Sequence, residues 1–218
     1  MSSLTEIFAR HGQRLSVPAE TTVMSRGEQP ARAYMVSTGR VLLHSSSVWG
    51  REIAFQVMKP NEIFGWITIA PSLRAAVDAT ALTDCELLFV EREVFDHALR
   101  ANPQCAVDSI EFILKCLLAR TLQVEDLALH NLRSRLARFL ISLFDDSEVE
   151  LVPGASVQVE LTQKHIAMMA GASRETVNRQ LQKWIDANII TFSGKTLRIT
   201  KPDLLRSIAG GPLPLAPG

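Results

Sequence analysis

The chain has few cysteines and no long apolar run. Its 218 residues include Cys85, Cys105 and Cys116, and no two of these are spaced as a CxxC pair. An odd number of scattered cysteines favours neither a disulfide framework nor a zinc ribbon, and it is typical of a reducing compartment. No apolar run approaches the roughly 20 residues that cross a membrane. The first residues also lack the basic and then apolar pattern of a signal peptide. We therefore expect a cytoplasmic protein without a membrane span.

Catalytic motifs are absent as well. The sequence contains no GxSxG, HExxH or P-loop pattern, and its five histidines include no His-x-His pair. These absences predict a protein that is not an enzyme and holds no metal. Apolar residues nevertheless make up 47% of the chain, which is enough for a packed core and excludes wholesale disorder.

The chain has no net charge, but its charges are unevenly distributed. Residues 1–130 carry 12 Lys and Arg against 15 Asp and Glu, whereas residues 131–218 carry 11 against 8. Within residues 162–201, seven basic side chains outnumber two acidic ones, Glu175 and Asp186. A neutral protein with one basic segment is expected to bind an anionic partner through that segment.

Short apolar or alternating runs over residues 20–92 predict β-strands. The runs fall at 33–36, 41–44, 52–58, 75–81 and 86–90. Gly39 and Gly50 stand between runs, where tight hairpins need a positive φ. Many short strands separated by turn residues are typical of an all-β barrel or a double-sheet roll.

From about residue 106 the pattern changes to that of one long helix. No Gly or Pro interrupts residues 106–129. Apolar or small residues recur there in alternating steps of four and three, at Ile110, Leu114, Leu117, Thr121, Val124 and Ala128. This heptad seam favours a parallel helix pair and hence a homodimer, with packing on the chain's own domain as the alternative. A second apolar row is expected to pack on the β domain, at Ile113, Leu118, Leu122 and Leu127. We expect a hinge at His130 and Asn131, followed by a helix to about residue 144.

Residues 161–187 predict two helices joined by a tight turn. Thr162 can cap the first helix and Ser173 the second, with Gly171 in the turn between them. One face of the second helix is apolar and is assigned to the core, with Val177, Leu181, Trp184 and Ile185. The sequence therefore predicts a helix-turn-helix.

The opposite face of the second helix carries Arg174, Glu175, Asn178 and Arg179 within its first two turns. In a recognition helix, these positions reach base edges in the major groove. Arg can donate two hydrogen bonds to guanine, and Glu can accept one from cytosine N4. Glu175 and Arg179 are four residues apart, so each can orient the other. A solvated helix face with an ordinary ion pair is the alternative.

Two short strands, at 189–192 and 196–199, follow the second helix and predict a winged helix. We expect phosphate contacts from Thr162, Ser173 and Lys195, which position a protein on DNA without reading its sequence. The Gly- and Pro-rich tail at 211–218 is predicted to be disordered.

With these residues in place, the sequence resembles the Crp/Fnr family of bacterial transcription regulators. Residues 173–179 read SRETVNR, a string specific to the family's second DNA-binding helix, and residues 60–65 read PNEIFG, as in its cyclic-nucleotide-binding-like β-roll. The resemblance extends over nearly the whole chain and implies an α+β fold. Its parts would be a β-roll sensor domain at 1–105, a dimerisation helix at 106–130 and a winged helix-turn-helix domain at 131–210.

The resemblance also implies partners. The protein would be a homodimer on double-stranded DNA, with RNA polymerase as a further partner if it activates transcription. By the family pattern, Arg174, Glu175 and Arg179 would read the core of TGTGA-like half-sites with two-fold symmetry.

The resemblance leaves the effector open. Members that respond to cyclic AMP carry Gly-Glu and Arg-Ser or Arg-Thr pairs where this chain has Gly65-Trp66 and Arg74-Ala75, and the nucleobase-contacting position falls near Thr121. Trp66 cannot accept hydrogen bonds from ribose hydroxyl groups, and we expect its bulk to fill the pocket. Arg74 retains the cation for the phosphate.

The sequence is therefore compatible with several kinds of regulator. One kind of regulator binds DNA without cyclic AMP, either in response to another effector or with no effector. A second kind binds cyclic AMP through Arg74. A thiol sensor that uses Cys105 or Cys116 is a third. The four-cysteine iron–sulfur cluster of oxygen-sensing members is not expected, since no cysteine precedes Cys85.

Overall fold

The computed structural model describes residues 3–70 and 72–210. The chain divides into two compact units, one that ends at Leu117 and one that begins at Leu118. The tail at 211–218, which was predicted to be disordered, lies outside the described residues. Within the described part of the chain, no helix combines the length and the hydropathy that a membrane crossing requires.

The first unit is built around a β-roll of two four-stranded sheets. Its strands are β1 (Gln13–Val17), β2 (Thr22–Met24), β3 (Arg32–Thr38), β4 (Val41–Ser46), β5 (Glu52–Met58), β6 (Ile63–Phe64), β7 (Asp78–Ala81) and β8 (Cys85–Glu91). One sheet has the order β1-β8-β3-β6 and the other β2-β7-β4-β5. All neighbouring strands pair antiparallel. The predicted β-roll is confirmed.

Inward-facing apolar side chains from both sheets form the interior of the roll. Val36 and Leu87 come from one sheet, and Val41 and Ala79 from the other, and all four are fully buried. The chain passes from β3 in one sheet to β4 in the other through a turn at Gly39, whose φ is 85°, and not through the expected hairpin. A Cβ there would lie 2.4 Å from the backbone oxygen of Asp84, so only glycine fits this turn.

Three helices and a short 3₁₀ helix (Trp66–Ile69) complete the first unit. They are α1 (Ser3–His11), α2 (Arg92–Ala101) and the first part of α3 (Pro103–Leu129). Phe8 of α1 packs against Phe95 of α2, with ring centroids 5.9 Å apart. These residues belong to a second apolar cluster, separate from the interior of the roll. The sequence analysis predicted α3 but not α1.

Helix α3 leaves its predicted heptad seam exposed. The face that it buries is not the apolar row that was predicted to pack on the β domain. Leu114 and Val124 of the seam are 57% and 64% exposed. The row expected to pack on the β domain is not buried, since Ile113 is 44% and Leu118 47% exposed. This expectation was wrong, because the buried face carries Cys105 and Ser109, and hydropathy does not mark a serine as buried. The Ser109 hydroxyl satisfies its hydrogen bond internally, by donating to the Cys105 carbonyl at 2.8 Å.

Asp108 of α3 fastens the first residue of α1. Its carboxylate accepts hydrogen bonds from the Ser3 hydroxyl, the Ser3 backbone N–H at 3.2 Å and the Gln104 side chain at 2.8 Å. The bond from the Ser3 hydroxyl, followed by that from Gln104, holds the pKa of Asp108 below its usual range. A carboxylate with a lowered folded pKa stabilises the fold above its unfolded pKa, and this contribution is lost as the pH falls through the folded value.

We therefore expect Asp108→Asn to lower the Tm at neutral pH, and the difference from the wild type to shrink as the pH falls below about 4. Thermal unfolding followed by circular dichroism between pH 3 and pH 7 measures this difference. Glu111→Gln on the same helix is the matched control for the loss of a carboxylate, and it should lower the Tm at neutral pH by less, since it removes only an exposed ion pair with Lys115. A Tm difference that stays constant across the range would contradict the prediction.

The second unit contains the end of α3 and a helical domain with a small sheet. Its further elements are α4 (Leu132–Asp145), β9 (Ser156–Gln158), α5 (Gln163–Ala170), α6 (Arg174–Asp186), β10 (Ile190–Ser193), β11 (Thr196–Ile199) and α7 (Pro202–Ala209). The sheet order is β10-β11-β9. Leu140 of α4, Trp184 of α6 and Leu197 of β11 meet in one core. The predicted helix-turn-helix and hairpin are confirmed, whereas β9 and α7 were not predicted.

Candidate nucleic-acid interface

Side-chain caps stand at the N-termini of both helices of the helix-turn-helix. The Thr162 hydroxyl oxygen accepts from the His165 backbone N–H, and His165 Nδ1 accepts from the Thr162 N–H, each at 3.3 Å. Gly171 ends α5 with a φ of 62°. The Ser173 hydroxyl oxygen then accepts from the Thr176 N–H at 3.3 Å and begins α6. Polar caps at both N-termini define a short, rigid helix-turn-helix.

Helix α6 divides into a buried and an exposed face. Val177, Leu181 and Trp184 are at most 4% exposed, and Ile185 packs against the same core. The opposite face carries Arg174, Glu175 and Arg179, all exposed, with Asn178 half-buried beside them. The structure thus places the four residues predicted to read bases on the first two turns of one helix.

The orientation of Arg179 differs from the expected one. Its Nη2 lies 3.5 Å from the Thr176 hydroxyl oxygen, and among the described residues no ion pair joins it to Glu175. Thr176 Oγ1 is in turn 2.9 Å from Ser173 Oγ. A chain of hydroxyls from the helix cap therefore supports the Arg179 guanidinium and leaves the Glu175 carboxylate for other partners. Sequence reasoning missed Thr176, although its position three residues from both Ser173 and Arg179 could have signalled it.

The Asn178 side chain can offer a ligand a hydrogen-bond donor but not an acceptor. Its Oδ1 atom is buried, and none of the residues that the structure describes forms a hydrogen bond with it. Unless the side chain rotates, only the amide NH₂ group can reach a ligand, as a donor. Asn178 is therefore suited to acceptors such as guanine O6 and N7 or thymine O4.

The wing hairpin presents Lys195 at its tip. Ser193 and Thr196 pair across β10 and β11, so the turn consists of Gly194 and Lys195 alone. The Lys195 side chain is exposed, while its carbonyl accepts a 2.7 Å hydrogen bond from the Val159 N–H. The backbone of the tip is thus anchored, and the ammonium group is left in solvent.

The predicted phosphate-contacting residues lie where phosphates are readily bound. Thr162 and Ser173 are exposed and stand at the N-termini of α5 and α6, where the helix dipole and orphan backbone N–H groups attract anions. The Thr162 oxygen already accepts a hydrogen bond, which leaves its O–H free to donate. Another lysine, Lys201, donates from Nζ to the Ala187 carbonyl at 2.9 Å and so caps the far end of α6.

Comparison with known proteins identifies both halves of the chain. A family model described as a cyclic nucleotide-binding domain matches residues 14–102, and one described as a Crp-like helix-turn-helix domain matches residues 134–208. The chain belongs to the Crp/Fnr family. It is therefore a DNA-binding transcription regulator, and members of this family are not enzymes.

Curated relatives in the Crp/Fnr family match along most of the chain. The global nitrogen regulator of Synechocystis sp. is 28% identical over 207 residues, which cover 91% of this chain and 92% of that protein. The CRP-like cAMP-activated global transcriptional regulator of Mycobacterium tuberculosis is 26% identical over 193 residues, which cover 88% and 86%. Among solved structures, FixK2 from Bradyrhizobium japonicum has a TM-score of 0.78 at 20% identity over 94% of this chain and 99% of that one, and this likeness shows the shared fold.

Trp66, which was predicted to fill the effector pocket, packs against helices α2 and α3. Its ring stacks on Phe112 of α3 at 4.7 Å and meets the edge of Phe95 at 5.6 Å. Its Nε1–H donates to the Ile63 carbonyl at 2.8 Å. The indole packs with the helical cluster and not in the interior of the roll. That the bulk of Trp66 fills an effector pocket stays a prediction.

Arg74 and Ala75 remain together at the roll. Ala75 is buried in the interior cluster and exchanges backbone hydrogen bonds with Gly27 and Glu28, at 2.8 and 2.9 Å. The exposed Arg74 donates from Nη1 to the Gly27 carbonyl at 3.0 Å. Thr121, the fifth residue predicted for this pocket, lies in the second unit, where it is exposed on α3. Within the first unit, the structure thus brings Arg74 and Ala75 together but not Trp66.

The three cysteines are all free thiols. Cys85 is buried and donates from Sγ to the carbonyls of Arg40 and Thr83, at 3.2 Å each. Cys105 is buried in the helical cluster, and Cys116 is partly exposed. Because a reactive thiol needs solvent access, burial disfavours a sensor at Cys105.

Proposed function

We propose that this Crp/Fnr protein is a homodimer that reads a palindromic site with TGTGA-like half-sites. The observation that carries the proposal is the capped helix α6, which buries one face and presents Arg174, Glu175 and Arg179 on the other. A helix of this kind fits the major groove with its N-terminal residues against the base edges.

Each exposed side chain has a role in this proposal. Arg174 and Arg179 donate to guanine O6 and N7, and Glu175 accepts from cytosine N4. Asn178 reads an acceptor of a neighbouring base through its NH₂ group. The phosphate contacts come from Thr162, Ser173 and Lys195, which set the register of the helix on the duplex.

Dimerisation through α3 is the second part of the proposal. The seam of Ile110, Leu114, Leu117, Thr121 and Val124 is exposed, and its heptad spacing suits a parallel pair. An apolar stripe of this length is rare on a protein that stays monomeric. We assign residues 1–105 to a sensor domain, 106–130 to the dimerisation helix and 131–210 to DNA binding, in a protein that acts in the cytoplasm.

We further propose that the dimer is competent to bind DNA without cyclic AMP. Trp66 offers no hydrogen-bond acceptor to a ribose, and its N–H is already engaged. The Arg74 guanidinium, the remaining candidate for a phosphate, is held by a backbone carbonyl. If the regulator activates transcription, RNA polymerase is its further partner.

Fluorescence anisotropy tests this function on a short duplex with two inverted TGTGA-like half-sites, at fixed salt, with and without cyclic AMP. We expect tight binding in both conditions and at least 1,000-fold weaker binding to a scrambled duplex, about the usual ratio for specific recognition. Equal affinity for the scrambled duplex would contradict sequence reading.

Cyclic-AMP-dependent regulation through Arg74 is the second candidate. The match of residues 14–102 to a cyclic nucleotide-binding domain favours it, as does the M. tuberculosis relative, whose name describes it as cAMP-activated. This candidate predicts binding only with the nucleotide, and loss of that response in Arg74→Ala.

A further inference from the structure

The Arg138 guanidinium group ties the end of α3 to the DNA-binding domain. Arg138 of α4 places Nη1 at 3.3 Å from Asp126 Oδ1 on α3. Its Nε donates to the Ala209 carbonyl at the end of α7, at 2.9 Å. The Arg138 side chain is 12% exposed and the Asp126 side chain 32%, so the ion pair is partly buried. Arg138 thus joins three helices of the second unit.

A second arginine spans the junction between α3 and α4. Arg135 donates from Nη1 to the His130 carbonyl at 2.8 Å and from Nε to the Ala170 carbonyl at 3.0 Å. It therefore connects the last turn of α3 to the C-terminus of α5. Leu127 of α3 packs against the same turn, since a Cβ on Gly171 would lie 2.7 Å from Leu127 Cδ2.

These contacts bridge the expected hinge at His130 and Asn131. Asn131 itself caps α4 by accepting from the Ser134 N–H at 3.0 Å. The end of α3 and the turn after α5 are thus linked by hydrogen bonds and packing within one compact unit. A rotation at His130 would have to break the Asp126–Arg138 pair.

We propose that Asp126 and Arg138 are positioning residues that set the separation of the two recognition helices, and hence the half-site spacing that the dimer accepts. This inference rests on the proposed homodimer on a palindromic site. In such a dimer, the α3 pair fixes the symmetry axis, and the contacts of Arg138 fix α4 and α7 relative to the end of α3. Helix α6 follows them, because it shares one packed core with both helices. One added base pair moves a half-site by about 3.4 Å and rotates it by about 34°. A dimer whose two DNA-binding domains are held at a fixed separation therefore binds one half-site spacing much more tightly than its neighbours.

A spacing series tests the proposal with the full-length protein. Two inverted half-sites are placed at the preferred centre-to-centre distance and at one and two base pairs above and below it, and anisotropy gives the Kd for each duplex. For Asp126→Asn, we expect the Kd ratio between shifted and preferred spacings to fall about three- to tenfold relative to the wild type, as expected when a partly buried ion pair is removed. Asp126→Glu should restore most of the discrimination.

Matched control variants distinguish a loss of helix positioning from the loss of a charge and from a loss of stability. Glu125→Gln removes an adjacent carboxylate, and Arg133→Gln removes an exposed arginine from the same helix as Arg138. Both should keep the wild-type spacing profile. Asp126→Asn leaves the Arg138–Ala209 hydrogen bond intact, and an unchanged circular dichroism spectrum shows that the variant is folded.

Two outcomes overturn the proposal in distinguishable ways. If Asp126→Asn weakens binding equally at every spacing, or leaves the profile unchanged, the residue does not position the helices. If the wild type binds one and two half-sites equally well, the dimeric function fails, and the spacing proposal fails with it.

Discussion

Arg179→Ala is expected to weaken binding to the palindromic duplex by about 2–6 kcal/mol. A bidentate Arg–guanine pair contributes about 1–3 kcal/mol of discrimination, and a homodimer makes two such pairs with its site. The structure supports a specific effect because Thr176 holds the guanidinium at the exposed face of α6. The weakening should be confined to one base pair in each half-site, where the variant becomes indifferent to sequence. Competition anisotropy with duplexes changed at single positions measures this pattern.

Lys195→Ala is the matched comparison for Arg179→Ala. It also removes one exposed cation per chain, but from the wing tip, where only a phosphate contact is proposed. It should weaken binding about equally on all sequences and lower the slope of log K against log salt by about one for each phosphate that the lysine no longer neutralises. Uniform weakening by Arg179→Ala as well would show that Arg179 contacts the backbone of the DNA and not a base.

Leu114→Glu is expected to dissociate the dimer. Burial of a leucine side chain contributes about 1.5–3 kcal/mol, and the two-fold axis doubles this contribution to about 3–6 kcal/mol. The substitution also brings two carboxylates together at the seam, which adds repulsion. The dimer Kd should therefore rise by about two to four orders of magnitude. Sedimentation velocity over a concentration series measures the shift from dimer to monomer.

Leu129→Glu is the control for the seam. Leu129 lies on the same helix and is 72% exposed, but it falls outside the heptad seam. The same change of side chain there should leave the dimer intact. If Leu114→Glu sediments as the wild type does, the proposed seam is not the dimer interface.

The elements that local sequence defines were predicted well. The caps Thr162 and Ser173, the turn at Gly171 and the faces of α6 depend on residues a few positions apart, and the structure has them as expected. Strand β9 was missed although polar and apolar residues alternate along it, because it is only three residues long and forms by pairing with β11. Local pattern thus predicts helices and their faces better than it predicts short strands.

Features that depend on distant residues were not predicted. The direction of Trp66 is decided by Phe95 and Phe112, which are 29 and 46 positions away in the sequence. The pair of Asp126 and Arg138 forms across a helix junction, and neither side chain belongs to a motif. Sequence pattern identifies the recognition helix, whereas the contacts that hold it in place become visible only in three dimensions.

The exposed seam on α3 has a consequence for gene dosage. If only the paired chain reads a palindrome, the supply of active regulator follows the square of the chain concentration while most chains are single. Doubling the number of chains in a cell would then raise the number of active pairs about fourfold. A modest change in synthesis or degradation of the protein would thus be amplified at its promoters, even without a small molecule to sense.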